Sequence, residues 1–499
     1  MRKIVIRLTA GLALTGLLMS CSLEETRESF VSPKDFYQNE AQIVAGLNSC
    51  YIPLKSIYSF EFAICTEGVT DLMSIASGQQ DAQLDITPAN PRFGNTVWNQ
   101  CYVGIRNAQA CIYGILSSPV EESLKPRYLA EAKAMRAFYY YLLTSFFGDV
   151  PYYTDNVDRL EVLEKVGHLP RMSAVETRAD LIKDLKACVK DLPEGRSYDV
   201  ARQRAGSAFA YTVLAKLAMW NKDWETAKEA LLKIQEFYGP LSQYPLSDVP
   251  FRMKNTPESI FEIQHTWSAG GLKIYSSFAC ITMPYNRKED TDIYDGVSVA
   301  ELGDQAIPYV PLRPNYYMCQ GLMPKGSSDK RKDMTFVYEW NGQPFKGTSA
   351  KPYLGPKFWC YGMMKTYDDN NYKVFRYADC LLMLAETYCE LGENDLSIAC
   401  LNEVKTRAEI QLYGKFRTKD RLLEEIRNER ARELVGEFQR KFDLVRWGIW
   451  YQATYEFTDY SILKRNIRPY HEYYPISDYE VALSGGILTN DAYNEGSAI

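Results

Sequence analysis

The sequence contains few of the residues that catalytic and metal centres usually require. Three of its 499 residues are histidines, and His168, His265 and His471 are far apart in sequence. No Gly-x-Ser-x-Gly or His-Glu-x-x-His motif accompanies them, and no glycine-rich phosphate loop ending in Lys-Ser or Lys-Thr occurs. These absences argue against a catalytic triad, a zinc centre and a nucleotide site. We therefore expect each histidine to lie at the surface or in a hydrogen bond.

Positive charge is also scarce. The 57 basic side chains are outnumbered by 63 acidic ones, and the pI is about 5.5. Such a chain has no general field that would attract phosphates, so nucleic acid is not an expected partner. The twelve cysteines form no Cys-x-x-Cys pair, which excludes the usual thiolate zinc motif. Several cysteines fall in helix-like stretches and are predicted to be small core residues, namely Cys101, Cys111, Cys380, Cys389 and Cys400.

A short apolar run stands near the start of the chain. Three basic residues among the first seven precede residues 8–19, which are too few to span a bilayer and have the layout of a secretory signal. The following Leu-Met-Ser-Cys at 18–21 resembles a bacterial lipobox, which implies cleavage before Cys21 and acylation of that residue. The alternative is an ordinary signal peptide with an incidental cysteine.

The residues after Cys21 carry a second signal. Ser-Leu-Glu-Glu at 22–25 resembles the surface-export signal of lipoproteins in the Bacteroidetes. We therefore predict a signal peptide over residues 1–20 and an acylated tether over 21–33. The implied location is the outer membrane, lipid-anchored and facing the cell exterior.

Apolar residues recur at helical spacing in pairs of segments. The predicted pairs are residues 34–56 with a helix opening near Trp98, 127–147 with 173–192, 204–220 with 223–237, and 374–391 with 394–408. Small residues that face large ones across a helix-turn-helix of about 34 residues are typical of tetratricopeptide repeats. We predict a mainly α fold with a helical scaffold over residues 34–237 and 374–450.

The helical period disappears between the third and fourth of these pairs. Residues 240–373, here called the insert, are rich in Gly, Pro, Ser, Asn and aromatics, with short strand-like pieces such as Ser259 to Gln264. No linker-like composition marks the edges of the insert, so we expect it to fold against the scaffold within a single domain over 34–499. Loops on a rigid support are where binding residues usually lie.

Three motifs resemble those of one family. Arg-Ala-Phe-Tyr-Tyr-Tyr-Leu at 136–142 is followed by Phe-Gly-Asp-Val-Pro-Tyr at 147–152, and Ile-Arg-Asn-Glu-Arg at 426–430 opens a charged helix. These runs resemble the signatures of SusD/RagB outer-membrane nutrient-binding lipoproteins, as does Tyr-Pro-Ile-Ser at 474–477. The chain departs from the family pattern at Phe438, where the family has glycine, and at Ser477, where it has proline.

The resemblance covers essentially the whole chain and implies a function. It implies a helical, tetratricopeptide-containing SusD-like fold that caps a TonB-dependent SusC-like channel and passes oligosaccharides, or in some members peptides, into it. Energy would come through TonB, so no cofactor is expected. The chain is not expected to be an enzyme.

Aromatic residues of the insert are the predicted ligand contacts. Sugar rings have flat C–H faces that lie well on Trp or Tyr, while nearby polar side chains bond the hydroxyls. The candidates are Trp267, Tyr275, Tyr285, Tyr294, Tyr309, Tyr316, Trp340 and Trp359. Arg106 and the loop from Ser74 to Arg92 are candidates for the polar contacts. Tyr139 to Tyr141 fall inside a helical period and are expected to pack in the scaffold.

Two carboxylates suggest another chemistry. Glu429 and Glu433 are four residues apart on one predicted helix, a spacing that would permit an acid–base pair for glycoside hydrolysis. Arg427, Arg430 and Arg432 surround them, and carboxylates beside guanidinium groups remain ionised. We expect an ion-pair network here. Asp290, Asp292 and Asp295 have some spacing of a calcium loop but lack its closing glutamate, so no metal site is expected.

Three functional hypotheses remain open at this point. The first is a glycan-capturing lipoprotein that serves an import channel, with a peptide-capturing protein of the same type as its variant. The second is a secreted hydrolase. The third is a repeat scaffold that assembles surface complexes without binding small ligands.

Overall fold

The computed structural model describes residues 36–75, 78–267, 273–284, 293–294, 297–302, 305–309, 312–345 and 351–496. Cys21, Tyr285 and the calcium-loop candidates Asp290, Asp292 and Asp295 lie outside these ranges. Helices make up most of the described chain and the strands are short, which confirms the mainly α fold. None of the described helices combines the length and apolar character needed to cross a bilayer.

The helices before the insert contain the first three predicted pairs. They are α1 (Glu40–Ser49), α2 (Ile52–Ile57), α3 (Phe60–Thr66), α4 (Gln80–Gln83), α5 (Phe93–Ser117), α6 (Lys125–Phe147), α7 (Leu160–Gly167), α8 (Ala174–Cys188), α9 (Ser197–Val200), α10 (Ser207–Trp220) and α11 (Trp224–Tyr238).

The remaining helices belong to the insert or follow it. They are α12 (Val299–Leu302), α13 (Lys332–Thr335), α14 (Tyr377–Leu391), α15 (Asn394–Arg407), α16 (Lys419–Leu434), α17 (Arg440–Arg446), α18 (Trp450–Phe457), α19 (Ser461–Asn466), α20 (Asp478–Leu483) and α21 (Asp491–Gly496).

Strands occur mainly in the insert. They are β1 (Met73–Ile75), β2 (Ser259–Ile263), β3 (Thr266–Trp267), β4 (Lys273–Ile274), β5 (Ile293–Tyr294), β6 (Val297–Ser298), β7 (Gln305–Ala306), β8 (Leu312–Pro314), β9 (Phe336–Val337), β10 (Glu339–Trp340), β11 (Gln343–Pro344), β12 (Tyr353–Leu354), β13 (Met364–Lys365) and β14 (Tyr372–Arg376). They pair as β1–β8, β2–β14, β3–β4, β9–β12, the parallel pair β7–β13, and the ribbon β11–β10–β5–β6.

The scaffold is a stack of antiparallel helix pairs, as predicted. Helices α5 and α6 pack together, α8 packs on α6 and α10, and α10 pairs with α11. Helix α11 then contacts α14 directly, although the whole insert separates them in sequence, and α14 pairs with α15. The insert therefore leaves the stack between two neighbouring repeats and returns without interrupting their packing.

Two local signals fix the ends of scaffold helices. Helix α6 stops at Phe147 because Gly148 adopts a positive φ of 70°, a conformation that costs glycine little. Helix α8 begins after Ser173, whose hydroxyl accepts the backbone N–H of Glu176. At Ser477, where the family has proline, the serine hydroxyl caps α20 in the same way.

Close contact between α5 and α6 depends on a missing side chain. A methyl group on Gly104 would lie 2.2 Å from the ring of Tyr139, so an alanine cannot be accommodated without movement. The Tyr139 ring is fully buried, and its hydroxyl donates to the carbonyl oxygen of Cys50 at 2.5 Å. The tyrosines at 139–141 are thus scaffold residues, as expected.

The two ends of the insert meet as a strand pair. Strand β2 runs antiparallel to β14, with Lys373 opposite Glu262. Phe261 of β2 and Phe375 of β14 pack against Phe138 of α6 and Phe209 of α10, with ring centroids 4.6 to 6.1 Å apart. Aromatic burial of this kind holds the base of the insert on the scaffold.

Phe438 occupies the place of the family's glycine. Its φ is 63°, in the left-handed region, which costs a non-glycine residue roughly 1–2 kcal/mol. The ring is fully buried among aromatic residues from three parts of the chain, including Tyr58, Phe278 and Tyr372. Burial of a phenyl group contributes about 1.5–3 kcal/mol, enough to offset the backbone strain.

A buried ion network joins the insert to the C-terminal helices. We define it as Glu258, Asp329, Arg331, Lys357, Arg376, Arg407, Glu429, Glu433 and Glu437, with side-chain exposures of 5% or less. Arg376, at the end of β14, reaches Glu433 of α16 at 2.6 Å and Glu437 at 2.7 Å. Arg331 of the insert binds both Glu429 and Glu433 at 2.7 Å.

Charge pairing keeps the carboxylates of this network ionised. Burial alone would raise the pKa of the Glu433 carboxyl. The guanidinium groups of Arg376, Arg407 and Arg331 reverse that effect and hold its pKa well below the ordinary value of 4.5. The pKa of Glu429 is likewise lowered, because Arg331 and Arg432 outweigh the effect of burial.

We predict that Glu433→Gln destabilises the protein by about 3–5 kcal/mol, because it leaves buried guanidinium groups without their counter-charge. A carboxyl with a lowered folded-state pKa contributes stability above its unfolded pKa and loses it as pH falls towards the folded value. The difference between wild type and variant should therefore be constant near neutral pH and shrink below about pH 4.5. Urea unfolding across this pH range measures it.

Glu393→Gln is the matched control for this prediction. Glu393 pairs with Lys228 at 2.5 Å, but both side chains are about one-quarter to one-third exposed, so its loss should cost less than about 1 kcal/mol. Equal effects of the two substitutions would show that the buried network does not secure the insert.

Candidate functional site

Two of the predicted aromatic residues come together with a third that sequence reasoning missed. Trp267 and Tyr275 meet edge to face with ring centroids 5.8 Å apart, and Tyr367 lies 5.6 Å from Trp267 and 4.1 Å from Tyr275. All three residues are partly exposed. They form a half-open aromatic cluster outside the core.

Short backbone pairings place these rings side by side. Trp267 ends β3, which pairs with β4, and Tyr275 follows β4 directly. Ser276 and Asp368 then exchange backbone hydrogen bonds of 2.8 and 3.0 Å, which sets Tyr275 beside Tyr367. The ring positions thus depend on main-chain geometry, so the cluster is formed before any ligand arrives.

Tyr309 follows a strand that neighbours this cluster and forms a separate aromatic contact with Phe60. Strands β7 and β13 run in parallel, and Tyr309 and Tyr367 each lie just beyond the end of one of them. The Tyr309 ring meets Phe60 edge to face at 5.7 Å, and its hydroxyl accepts a hydrogen bond from Gln79 at 3.3 Å. We call Phe60, Trp267, Tyr275, Tyr309 and Tyr367 the aromatic surface.

Polar groups line the edge of the aromatic surface. The Lys55 ammonium lies 5.1 Å from the centroid of the Tyr275 ring, a cation–π contact. Gln79 belongs to the loop predicted to supply polar contacts. Burial, together with the neighbouring Tyr367, raises the pKa of the Tyr275 phenol, so that hydroxyl stays neutral and can both donate and accept hydrogen bonds.

Other predicted aromatic residues lie elsewhere. Tyr316 is 43% exposed, and its ring lies 5.2 Å from the ammonium group of Lys351, which pairs with Asp459. Trp340 is half-buried on β10, and its backbone is directly opposite Tyr294 of β5. These residues belong to β8 and its following turn and to the β11–β10–β5–β6 ribbon, not to the strands that form the aromatic surface. Tyr285 lies outside the described residues.

The position of Trp359 contradicts the prediction that its ring contacts a ligand. Its side chain is fully buried at 0% exposure, within the core beneath the insert. A ring with no free face cannot stack on a ligand, so the prediction that Trp359 contacts a ligand is wrong in this conformation. Irregular loops must also build a core, and sequence composition alone does not distinguish the two uses of tryptophan.

The two glutamates considered for hydrolysis are not available as an acid–base pair. Glu429 and Glu433 are buried members of the ion network, which confirms the ion-pair interpretation. Burial raises the pKa of Glu67 to about 8 and that of Asp368 to about 7, yet both are in the core and accept backbone N–H groups. Within the described ranges no group of three or more His, Cys, Asp or Glu side chains could hold a metal ion.

The histidines and the predicted core cysteines have structural roles. His168 is exposed and its Nδ1 contacts the carbonyl oxygen of Glu164, whereas His265 and His471 are buried. Burial lowers the pKa of His265 to about 4 and that of His471 to about 3, so both rings are neutral at physiological pH. The five cysteines predicted to be core residues are all buried.

These features define a class: a helical-repeat protein with a loop-rich insert that presents an exposed aromatic surface. Comparison with known families identifies the family within this class. A model of the SusD family matches residues 357–493, and a second, described as starch-binding and associating with the outer membrane, matches 23–219. The two segments together span more than half of the chain and contain the three motifs that carry the resemblance. The chain belongs to the SusD/RagB family.

Individual relatives agree over almost the full length. SusD-like protein P25 of Formosa agariphila is 25% identical, over 96% of this chain and 98% of its own, and SusD-like protein P38 of the same organism is 25% identical, over 86% and 89%.

Solved structures share the fold. A laminarin-binding SusD-like protein has a TM-score of 0.71 at 22% identity, covering 90% of this chain and 98% of its own. Surface glycan-binding protein A of Bacteroides thetaiotaomicron, in complex with laminarihexaose, has a TM-score of 0.71 at 19% identity, covering 90% and 99%. At these identities the likeness establishes the fold.

Proposed function

We propose that the protein captures oligosaccharides at the cell surface and delivers them to a TonB-dependent SusC-like channel in the outer membrane. The observation that carries this proposal is the aromatic surface, whose rings are partly exposed and fixed by main-chain pairing. Two structural neighbours are described as binding laminarin or laminarihexaose, which supports a sugar as the ligand.

Stacking explains how such a surface holds a sugar. Trp267, Tyr275 and Tyr367 offer ring faces to the C–H side of a pyranose, while phenol hydroxyls and Gln79 offer donors and acceptors to its hydroxyl groups. Because the rings are already positioned, little conformational entropy is lost on binding. Capture rather than turnover is favoured, since the carboxylates that might act as an acid–base pair are ionised and buried.

The N-terminal segment and the family membership support the delivery step of this proposal. The lipobox-like residues at 18–21 support acylation at Cys21, and one matching family model is described as associating with the outer membrane. A lipid-anchored protein outside the outer membrane needs a channel to pass its ligand inwards, and TonB would provide the energy. No nucleotide site is required for this arrangement.

We predict that Trp267→Ala, Tyr275→Ala and Tyr367→Ala each weaken oligosaccharide binding about tenfold, or ~1.4 kcal/mol for each stacked ring removed. Calorimetry of the purified protein measures this, with laminarihexaose and a panel of host, plant and microbial glycans plus mixed peptides. Thermal unfolding should be nearly unchanged, because these rings lie outside the core.

Tyr479→Ala is the control for this set, since Tyr479 is 69% exposed on α20, away from the aromatic surface. Unchanged affinity in all three variants would reject the aromatic surface as the binding site. Binding of peptides alone would favour a peptide-capturing protein, and binding of neither would favour a repeat scaffold.

We predict that Cys21→Ala releases the protein from the membrane fraction, because without acyl chains the exported protein has no stable anchor. From solubilised wild-type membranes, the protein should co-purify with a TonB-dependent channel, detected by mass spectrometry. An unchanged membrane association of the variant, or purification of the wild type without any such channel, would contradict the delivery step.

A further inference from the structure

A cavity adjoins the aromatic surface. Its volume is about 560 Å³, within the range of ordinary small-ligand sites. It lies between helices α1 and α2, the loop at 202–204, and strands β2 and β4. Ile52 and Ile274 form an apolar part of its rim and are 70% and 41% exposed.

The walls of this cavity are mainly apolar, and most of the charged side chains that line it are basic. Lys55, Arg202 and Arg204 line it, against a single carboxylate, that of Glu262. Glu262 is buried and its charge is matched by Lys373, with a nitrogen-to-oxygen distance of 3.1 Å. Glu262 therefore does not neutralise Lys55 or Arg202, whereas Arg204 is paired with Glu131.

Two of the cations are available to a ligand. Lys55 and Arg202 are exposed, and neither pairs with a carboxylate of any residue that the structure describes. Arg202 is held in place by stacking on the ring of Tyr198 at 3.8 Å. Arg204 is fixed differently, by Glu131 at 2.7 Å and by Asn48 at 2.8 Å, and so forms a rigid wall.

Lys55 connects the cavity with the edge of the aromatic surface. Lys55 lines the cavity and also lies over the ring of Tyr275. Ile274, on the rim, is the sequence neighbour of Tyr275. A glycan chain stacked on Trp267 and Tyr275 would extend directly past Lys55 into the cavity.

We infer that this cavity is a subsite for an acidic sugar of the captured glycan, which would carry either a uronate carboxylate or a sulfate ester. The inference rests on the proposed glycan capture and adds the ligand's charge to it. The anion would accept hydrogen bonds from Lys55 and Arg202, while the sugar's apolar face would lie against Ile52 and Ile274. Net acidity of the whole chain does not oppose this, because the local cations lie closest to the ligand.

The test uses the double variant Lys55→Gln/Arg202→Gln and three probes. These are an oligogalacturonate with carboxylates, a sulfated carrageenan oligosaccharide, and neutral laminarihexaose, each titrated calorimetrically into the purified protein. We expect affinity for at least one anionic probe to fall about a hundredfold, or tenfold for each charge-assisted hydrogen bond removed. Added salt should weaken wild-type binding of that probe and have little effect on the variant.

Lys183→Gln/Lys190→Gln is the matched control. It also removes two positive charges, but from the exposed face of α8 and the turn after it, away from the cavity. Both double variants should keep the wild-type unfolding temperature, since the substituted side chains are exposed. An equal loss of anion binding in the two would mean that overall charge, and not the cavity, governs binding, and would overturn the inference.

Other outcomes separate this inference from the proposed function. Binding of laminarihexaose without either anionic probe would overturn the acidic-sugar subsite and leave glycan capture standing. Anionic binding that the double variant does not weaken would also overturn the subsite. Binding of no probe at all would count against both. Preference for the carboxylated or the sulfated probe identifies which anion the cavity accepts.

Discussion

The ion pairs between Arg376 and the carboxylates of Glu433 and Glu437 lie where the insert returns to the scaffold. The insert has short strands and few helices, so it cannot hold its shape through regular hydrogen bonding alone. A buried charge without its partner destabilises the folded protein, so the network requires each charged side chain to be placed accurately. Arg331, Lys357 and Arg376 complete their ion pairs only when the segment that carries Glu429, Glu433 and Glu437 is in place. The strand pair β2–β14 and the aromatic contacts of Phe138 also hold the base of the insert on the scaffold. The exposed loops of the insert are supported by this base.

Aromatic residues serve two purposes in this chain, and burial separates them. Phe438, Trp359 and Tyr139 are fully buried and fill gaps between helices and insert. Trp267, Tyr275 and Tyr367 have similar chemistry but lie at strand ends near the surface, where main-chain bridges fix their rings. The high tyrosine content of the sequence reflects both uses. The candidate ligand contacts differ from the buried rings in their position at the edge of the insert and in their polar neighbours, not in residue type.

Local features are predictable from the sequence, whereas long-range ones are not. The individual helices follow from apolar spacing within each segment, and the stop at Gly148 and the cap at Ser173 are signals within a single turn. The sequence predicts an ionic environment for Glu433, but the only partners it suggests are neighbours on the same helix. Its actual partners Arg407, Arg376 and Arg331 are 26, 57 and 102 residues away, which no local pattern reveals. Tyr367 was not predicted, because it meets Trp267 only through the pairing of distant strands and lies in a polar run whose Asp368, Asn370 and Asn371 are buried.

We propose that a rigid aromatic surface on the network-supported insert binds the glycan. The decisive measurement is a crystal structure of the protein with the oligosaccharide that binds most tightly. We expect sugar rings stacked on Trp267, Tyr275 and Tyr367, with ring positions and the distances around Arg376 unchanged from the unbound protein. A sugar bound at another surface, or an insert rearranged to reach it, would refute this mode of binding.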